Sequence, residues 1–271
     1  MGRAAGWRYV MTSLERIETR LHVENSLAGG TTVGLDPGRA HFLRSVLRLK
    51  PGAQLALFNG RDGEWLARID ALGKGWCSLE VLSLRRAPGR EPDLWLAFAP
   101  IKRARLDFLV EKATELGVSA LRPVITRRTN VDRVNLERLR ANTREAAEQC
   151  ERLTLPEVVA PVKLEALLAD WPEQRRLLVC CEAGQVPPLS DVLTDFQGQG
   201  TGSPPPGPWA AMCGPEGGFA ESELDALSKL PFVTLAGLGP RILRADTAAV
   251  AVLACWQAWL GDWRSRPVGR G

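Results

Sequence analysis

The sequence predicts an α/β chain of two domains: a small β-barrel over residues 1–88, then a mostly parallel sheet with helices on both faces over 89–271. Three observations carry this expectation. The chain has 271 residues, more than one average domain, and the charged Pro/Gly segment Arg85–Asp93 reads as a linker. Before the linker, apolar alternating runs recur at the spacing of a small barrel or meander. After it, strand-like and helix-like patterns alternate, the signature of βα units around a parallel sheet.

Taken in order, a helix is expected over Pro37–Leu49, with Phe42, Leu43, Val46 and Leu47 on its apolar side and Arg39, His41, Arg44 and Arg48 on the other, Lys50 just beyond. The strands GAQLALFNG, GEWLARIDAL and GWCSLEVLSL follow, divided by NGRDG and GKG turns. Past the linker come the strand LWLAFAP and the helix KRARLDFLVEKATELG. Its stripe is Leu106, Leu109, Val110, Ala113 and Leu116, and Gly117 ends it. The strand LRPVI, a helix from Val134 to Leu153, the strand LLVCC and a short helix near Leu189 come next. Gln197–Pro208, rich in Gly and Pro, reads as a surface loop. The strand WAAMC, the helix ESELDALSKL, the strand FVTLAG and a helix from Asp246 to Gly261 complete the chain.

Composition excludes several classes. Hydrophobic residues make up 45% and charged residues 24%, with 26 glycines and 19 prolines, which fits neither a collagen-like nor a disordered chain. The longest charge-free apolar run, Thr247–Gly261, is shorter than the ~20 residues a membrane span needs. The start, MGRAAGWRYV, lacks the pattern of a signal peptide. A soluble, cytoplasmic protein with no membrane association is expected. The net charge of +4 is unevenly placed: residues 1–90 carry a balance of +6, residues 91–160 of +1 and residues 161–271 of −3. A basic N-terminal part suits a polyanionic partner, and it equally suits a solvated surface that is rich in arginine. The cysteines Cys77, Cys150, Cys180, Cys181, Cys213 and Cys255 form no Cys-x-x-Cys pair and the histidines are only His22 and His41, so no metal site is expected.

In open parallel sheets ligands sit beyond the C-terminal strand ends, which directs attention to three exits: CCEAG (Cys180–Gly184), CGPEGGF (Cys213–Phe219) and LAGLGPRILRADTA (Leu235–Ala248). Gly214, Gly217 and Gly218 let backbone groups approach a ligand closely, although a plain tight turn would use the same glycines. With no Gly-Lys-Ser/Thr and no GxGxxG pattern, hydrogen bonds to a neutral heterocycle such as adenine fit better than a phosphate cradle. Arg241 and Arg244 flank Ile242-Leu243, and Asp246-Thr247 read as the cap of the last helix. Two arginines there suit a phosphate or a developing negative charge; the alternative is an Arg244–Asp246 salt bridge that shapes the loop.

GPEGGF followed by an acidic helix and then LGPRILRADTA resembles the bacterial 16S ribosomal RNA uracil-N3 methyltransferase family of the SPOUT superfamily. HFLRSVLRLKPGAQLALFNG, KRARLDFLVEKATELGVSALRPVITRR and REAAEQCER extend the resemblance, which runs from about residue 15 to 262. The family usually has Glu where this chain has Asp246, and a small residue then Gly-Arg where it has Cys150-Glu151-Arg152.

The resemblance implies a PUA-like β-barrel, a SPOUT domain with a deep trefoil knot, S-adenosylmethionine as methyl donor, 16S ribosomal RNA of the small subunit as partner, and a homodimer. The nearly all-apolar last helix, with Trp256 and Trp259, agrees with dimerisation, as it does with burial within one chain. By the resemblance the donor would be held by Cys181 and Glu182 at the first exit. Gly214, Pro215, Glu216, Gly217 and Gly218 would hold it at the second, and Leu235, Leu238, Gly239, Ile242, Leu243, Arg244 and Thr247 at the third. Arg244 is expected to stabilise the uridine anion, with Arg241 on RNA or on the donor's carboxylate. Glu216, Asp246 or water would take the proton. Arg39, Arg44, Arg48, Lys102, Arg103, Arg127 and Arg128 are the expected phosphate contacts. Two alternatives stand beside this: methylation of another base or a ribose 2′-O, and a non-catalytic ribosome assembly factor. A nucleotide-phosphate enzyme is disfavoured by the missing P-loop lysine.

Overall fold

The computed structural model describes residues 17–131, 133–182, 185–198 and 208–263. The chain forms two compact units that divide between Pro88 and Gly89.

The first unit is a five-stranded sheet. β1 (Ile17–His22), β2 (Thr32–Leu35), β3 (Gln54–Phe58), β4 (Glu64–Gly73) and β5 (Trp76–Arg86) lie in the order β1-β3-β4-β5-β2. β1 runs parallel to β3 and the other neighbours are antiparallel. Leu21, Val33, Leu55, Leu57, Ile69, Leu79 and Val81 make its core. Glu64, 2% exposed, accepts from three arginines: Arg20 Nε at 2.7 Å, Arg85 Nη1 at 2.6 Å and Arg86 Nη2 at 2.7 Å. Burial pushes the Glu64 carboxyl up, but the hydrogen bonds and charges of Arg86 and Arg20 outweigh it and hold it below the ordinary carboxylate value.

The helix expected at Pro37–Leu49 is α1 (Pro37–His41), which widens into a π-helical stretch, Phe42–Val46. The expected apolar side is corrected in part: Leu43 is buried and Leu47 packs against the core, but Phe42 is 38% and Val46 61% exposed. A π turn takes more residues than the 3.6 of an α turn, so α-helical spacing no longer keeps these side chains on one stripe.

The second unit holds β6 (Leu94–Phe98), α2 (Arg103–Glu115), β7 (Ala120–Ile125), α3 (Leu136–Cys150), β8 (Glu157–Val158), β9 (Val162–Lys163), α4 (Leu164–Ala169) and β10 (Arg176–Cys181). α5 (Leu189–Gly198), β11 (Trp209–Cys213), α6 (Glu221–Ser228), β12 (Val233–Gly237) and α7 (Ala245–Trp259) follow. The sheet order is β12-β10-β11-β6-β7-β8, with β9 also on β7, and its pairings are parallel. Most of the expected loop Gln197–Pro208 lies outside the described residues, and α5 takes up Gln197 and Gly198.

Strand alternation sends side chains to two cores, as a sheet covered on both faces requires. Leu94, Leu96, Phe98, Leu178 and Cys180 pack under α2, α3, α5 and α7. Ala97, Leu177, Val179, Cys181 and Met212 pack under α4 and α6. α2 ends at Gly117, whose φ of +79° is the left-handed conformation that terminates helices. Arg152 is buried. Its Nη1 donates to the Thr114 carbonyl and its Nη2 to the Val118 carbonyl, at 2.7 and 3.0 Å, so it pins the end of α2.

Candidate active site

The strand order places the three exits side by side, β10 between β12 and β11. Between them lies a cavity of about 520 Å³ including its open mouth. Cys180, Cys181 and Glu182 bring the end of β10 to it, and Cys213 and Gly214 the end of β11. Leu238–Leu243, with Ala245 and Ala248 of α7, close the remaining side.

Each wall has a local cause. Gly214 carries the ring of Phe219: a Cβ built there would lie 2.9 Å from the ring, which is itself buried. Gly214→Ala is therefore expected to displace Phe219 and lower stability by about 1–3 kcal/mol, read as the shift in a urea melt; an unshifted midpoint would show that the ring yields freely. Gly239 has φ +101°, open to glycine and strained for other residues. Gly237 N–H donates to the Pro187 carbonyl at 2.9 Å, which ties the chain beyond β10 to the end of β12. Glu223, buried in α6, accepts from the backbone N–H of Ala220 and of Arg127, both at 2.8 Å. Arg128 Nη1 donates to the Gly217 carbonyl at 2.9 Å, so this arginine braces the glycine loop.

Electrostatically the cavity walls are quiet. A hydrogen bond with the Cys213 thiol, then burial, raises the Cys180 thiol, and burial with Cys180 alongside pushes Cys181 up to about 11. Both thiols are thus protonated and un-nucleophilic near neutral pH. Partial burial raises the Glu182 carboxyl. The nearest fixed cation on the lining is Arg241, which is exposed.

A second hollow, about 560 Å³ with its open mouth, is lined by Arg105, Glu216, Ile242, Leu243 and Arg244. Ile242 and Leu243 are common to both spaces. The two arginines of the third exit therefore part company: Arg241 lines the first cavity and Arg244 the hollow.

The expected site residues distribute as follows. Cys181, Glu182, Gly214, Leu238, Gly239, Ile242 and Leu243 line the cavity. Glu216 lines the hollow, Leu235 packs into the core beneath, Thr247 is exposed on α7, and Pro215 is buried. The expected cap is corrected: the N-cap of α7 is Arg244, extended at ψ 154°. Asp246 lies inside the first turn, where an acidic side chain meets the positive helix end, and its Oδ1 accepts from Thr247 N at 3.0 Å. Among the described residues no ion pair joins Arg244 to Asp246. Lys102 and Arg103 are exposed at the start of α2, and Arg44, Arg48 and Arg127 are exposed as well. Arg39 is half-buried, its guanidinium donating to the His22 carbonyl. Arg105 was not among the expected residues, although it sits just past the end of β6, and the rule that favours strand exits applies to that end too. Among the described residues no cluster of side chains is placed to hold a metal ion, and no helix is long and apolar enough to cross a membrane.

Comparison with known proteins places this arrangement. A family model described as an RNA methyltransferase domain matches residues 89–257, and one described as an RNA methyltransferase PUA domain matches residues 35–82. Ribosomal RNA small subunit methyltransferase E of Rickettsia conorii is 33% identical over 87% of this chain and 93% of its own length. The Synechocystis protein of that name is 32% identical over 82% of this chain and 72% of its own. The crystal structure of a ribosomal RNA small subunit methyltransferase E from Neisseria gonorrhoeae, bound to S-adenosyl methionine, superposes with a TM-score of 0.80 at 29% identity, covering 90% of this chain and 99% of that one. The chain belongs to the ribosomal RNA small subunit methyltransferase E family of RNA methyltransferases.

Proposed function

We propose that the protein methylates N3 of a uridine in small-subunit 16S ribosomal RNA, with S-adenosylmethionine bound in the cavity between the three strand exits. The observation that carries the reading is the pairing of that neutral-walled cavity with a hollow holding Arg244 and Glu216, the two spaces sharing Ile242 and Leu243. The cavity suits the donor's chemistry. Leu238, Ile242 and Leu243 offer apolar cover for adenine, the glycine turns offer backbone groups, and Glu182 with Arg241 offers opposite charges to a zwitterionic amino-acid end. When bound, S-adenosylmethionine supplies an electrophilic methyl group.

The chain's own task is to make N3 a nucleophile. In neutral uracil N3 carries a proton and its lone pair is delocalised. Glu216 is placed to accept that proton at a carboxylate oxygen, and Arg244 to stabilise the negative charge that spreads onto the uracil oxygens. Asp246, in the first turn of α7, is the second candidate acceptor.

The first unit acts as an RNA grip, with Arg44 and Arg48 meeting phosphates; in the second unit Lys102, Arg103 and Arg127 are phosphate contacts of their own. Arg44→Ala with Arg48→Ala is expected to flatten the slope of log affinity against log salt by about 1.5, measured by filter binding to small subunits; an unchanged slope would remove both residues from the RNA contact. Two further features belong to this reading. A homodimer is supported by the small residues Thr247, Ala251, Ala254 and Ala258 along the outward side of α7. A trefoil knot is supported by the path from β11 through α6 to β12, which passes β10 to reach its far side. The expected place of action is the cytoplasm.

Nucleoside mass spectrometry of small-subunit RNA, with and without the gene, tests the function. Loss of 3-methyluridine, with a matching primer-extension stop in the gene-bearing strain alone, is the expected result. Loss of a different methylated nucleoside would replace uridine N3 by that target.

A further inference from the structure

The hollow beside the donor cavity has a composition that goes beyond a place for one catalytic arginine. Its polar groups are two guanidiniums and one carboxylate, from Arg105, Arg244 and Glu216. A guanidinium only donates hydrogen bonds and an ionised carboxylate only accepts them. The edge of uracil around N3 reads acceptor, donor, acceptor: O2, N3–H, O4. Cytosine on the same edge reads acceptor at O2, acceptor at N3 and donor at its amino group. A hollow that offers one carboxylate and two donor forks can complement the first pattern throughout, and meets the second with like against like at N3 and the amino group.

We infer that Arg105, Glu216 and Arg244 form a uracil-selective base pocket, in which Glu216 accepts from N3–H and the two arginines donate to O2 and O4. This rests on the reading given under Proposed function. Ile242 supports it independently. It is 82% exposed, an unusual degree for an isoleucine beside a ligand cavity, and an extracted base entering the hollow would cover it. The three polar groups come from separate segments: Arg105 from α2 past the end of β6, Glu216 from the loop past β11, and Arg244 from the N-cap of α7. Their meeting is thus a product of the fold. Because Ile242 and Leu243 also line the donor cavity, a base seated here would lie next to the methyl group's source.

The residue newly assigned is Arg105, a selectivity determinant whose removal leaves the cavity lining intact. The test uses the full-length protein on small subunits purified from a strain lacking the gene, with three readouts: the methylated nucleoside by mass spectrometry, kcat/KM, and S-adenosylmethionine affinity by calorimetry. Arg105→Met and Glu216→Gln are each expected to lower kcat/KM roughly 10- to 100-fold, the discrimination typical of one lost bidentate base contact, while donor affinity stays within about threefold. Arg105→Lys, which keeps the charge and loses the fork, is expected to recover part of the loss. It also serves where Arg105→Met fails to fold. If wild type makes 3-methyluridine and Arg105→Met retains kcat/KM within threefold, the base pocket is wrong and the uridine reading stands. If wild type makes another methylated nucleoside, both fall together.

Discussion

Arg244→Ala is expected to lower the rate of RNA methylation by roughly 100- to 1,000-fold, the cost of about 2.7–4 kcal/mol for losing one charge-stabilising donor in an active site. The side chain lines the hollow with Glu216 and Arg105, and it lies outside the lining of the first cavity. Donor affinity should therefore change by no more than a few-fold. The helix start should also survive, because Arg244 caps α7 with its backbone carbonyl, which accepts from Ala248 N at 2.8 Å, and its side chain makes no cap bond. Arg244→Lys separates charge from geometry, and an intermediate loss of about tenfold is expected from a point charge without the fork. Single-turnover kinetics on small subunits, with calorimetry for the donor, supply the comparison. Full activity in Arg244→Ala would move charge stabilisation to another residue.

Glu64→Ala is expected to destabilise the first unit by about 3–5 kcal/mol. Removing the carboxylate leaves Arg20, Arg85 and Arg86 gathered around a buried space with their common counter-charge gone. Glu64→Gln keeps the volume and one acceptor, so a smaller loss is expected. The carboxyl is depressed in the folded chain and returns to about 4.3 in the unfolded one. Its contribution is thus fully present above that unfolded value and is lost as pH falls through the folded value. Urea melts between pH 6 and pH 3 should show wild type weakening on the acid side, with part of that dependence absent from Glu64→Gln. Equal pH dependence in the two would show that Glu64 carries no share of it.

The same carboxylate explains one element that periodicity does not reveal. β1 buries Arg20 and His22 beside Leu21, so hydropathy shows a polar stretch where a core strand runs. Polarity on a buried face becomes intelligible only when the partner, 44 positions away, is known. β2, β8 and β9, of four, two and two residues, are too short for any period to register. The longer strands and helices of the second unit were legible because each pays into a core on one side at a regular interval. The three strand exits were equally legible, being glycine-rich and arginine-bearing segments between clear elements. Arg105 was not, because nothing in the linear sequence says that β6 lies next to β11. Only that adjacency brings its exit to the hollow. The cap of α7 was misplaced for a related reason: Asp246 has cap chemistry, but the backbone turns two residues earlier, at Arg244.

The order of strands in the second sheet also sets a schedule for biosynthesis. β12 pairs with β10, Leu177 alongside Val233, and the cavity needs Ala245 and Ala248 from the start of α7. The first unit draws its core from residues 21–81 alone, so it is expected to fold while the second is still being translated. The cavity is complete only once α7 has emerged and docked, because its Val252, Leu253 and Trp256 anchor it to the core. A nascent chain therefore passes through a long interval in which one module is folded and the cavity does not yet exist. A premature stop that falls after the first unit and before α7 should yield a protein with an intact first module and no capacity to turn over.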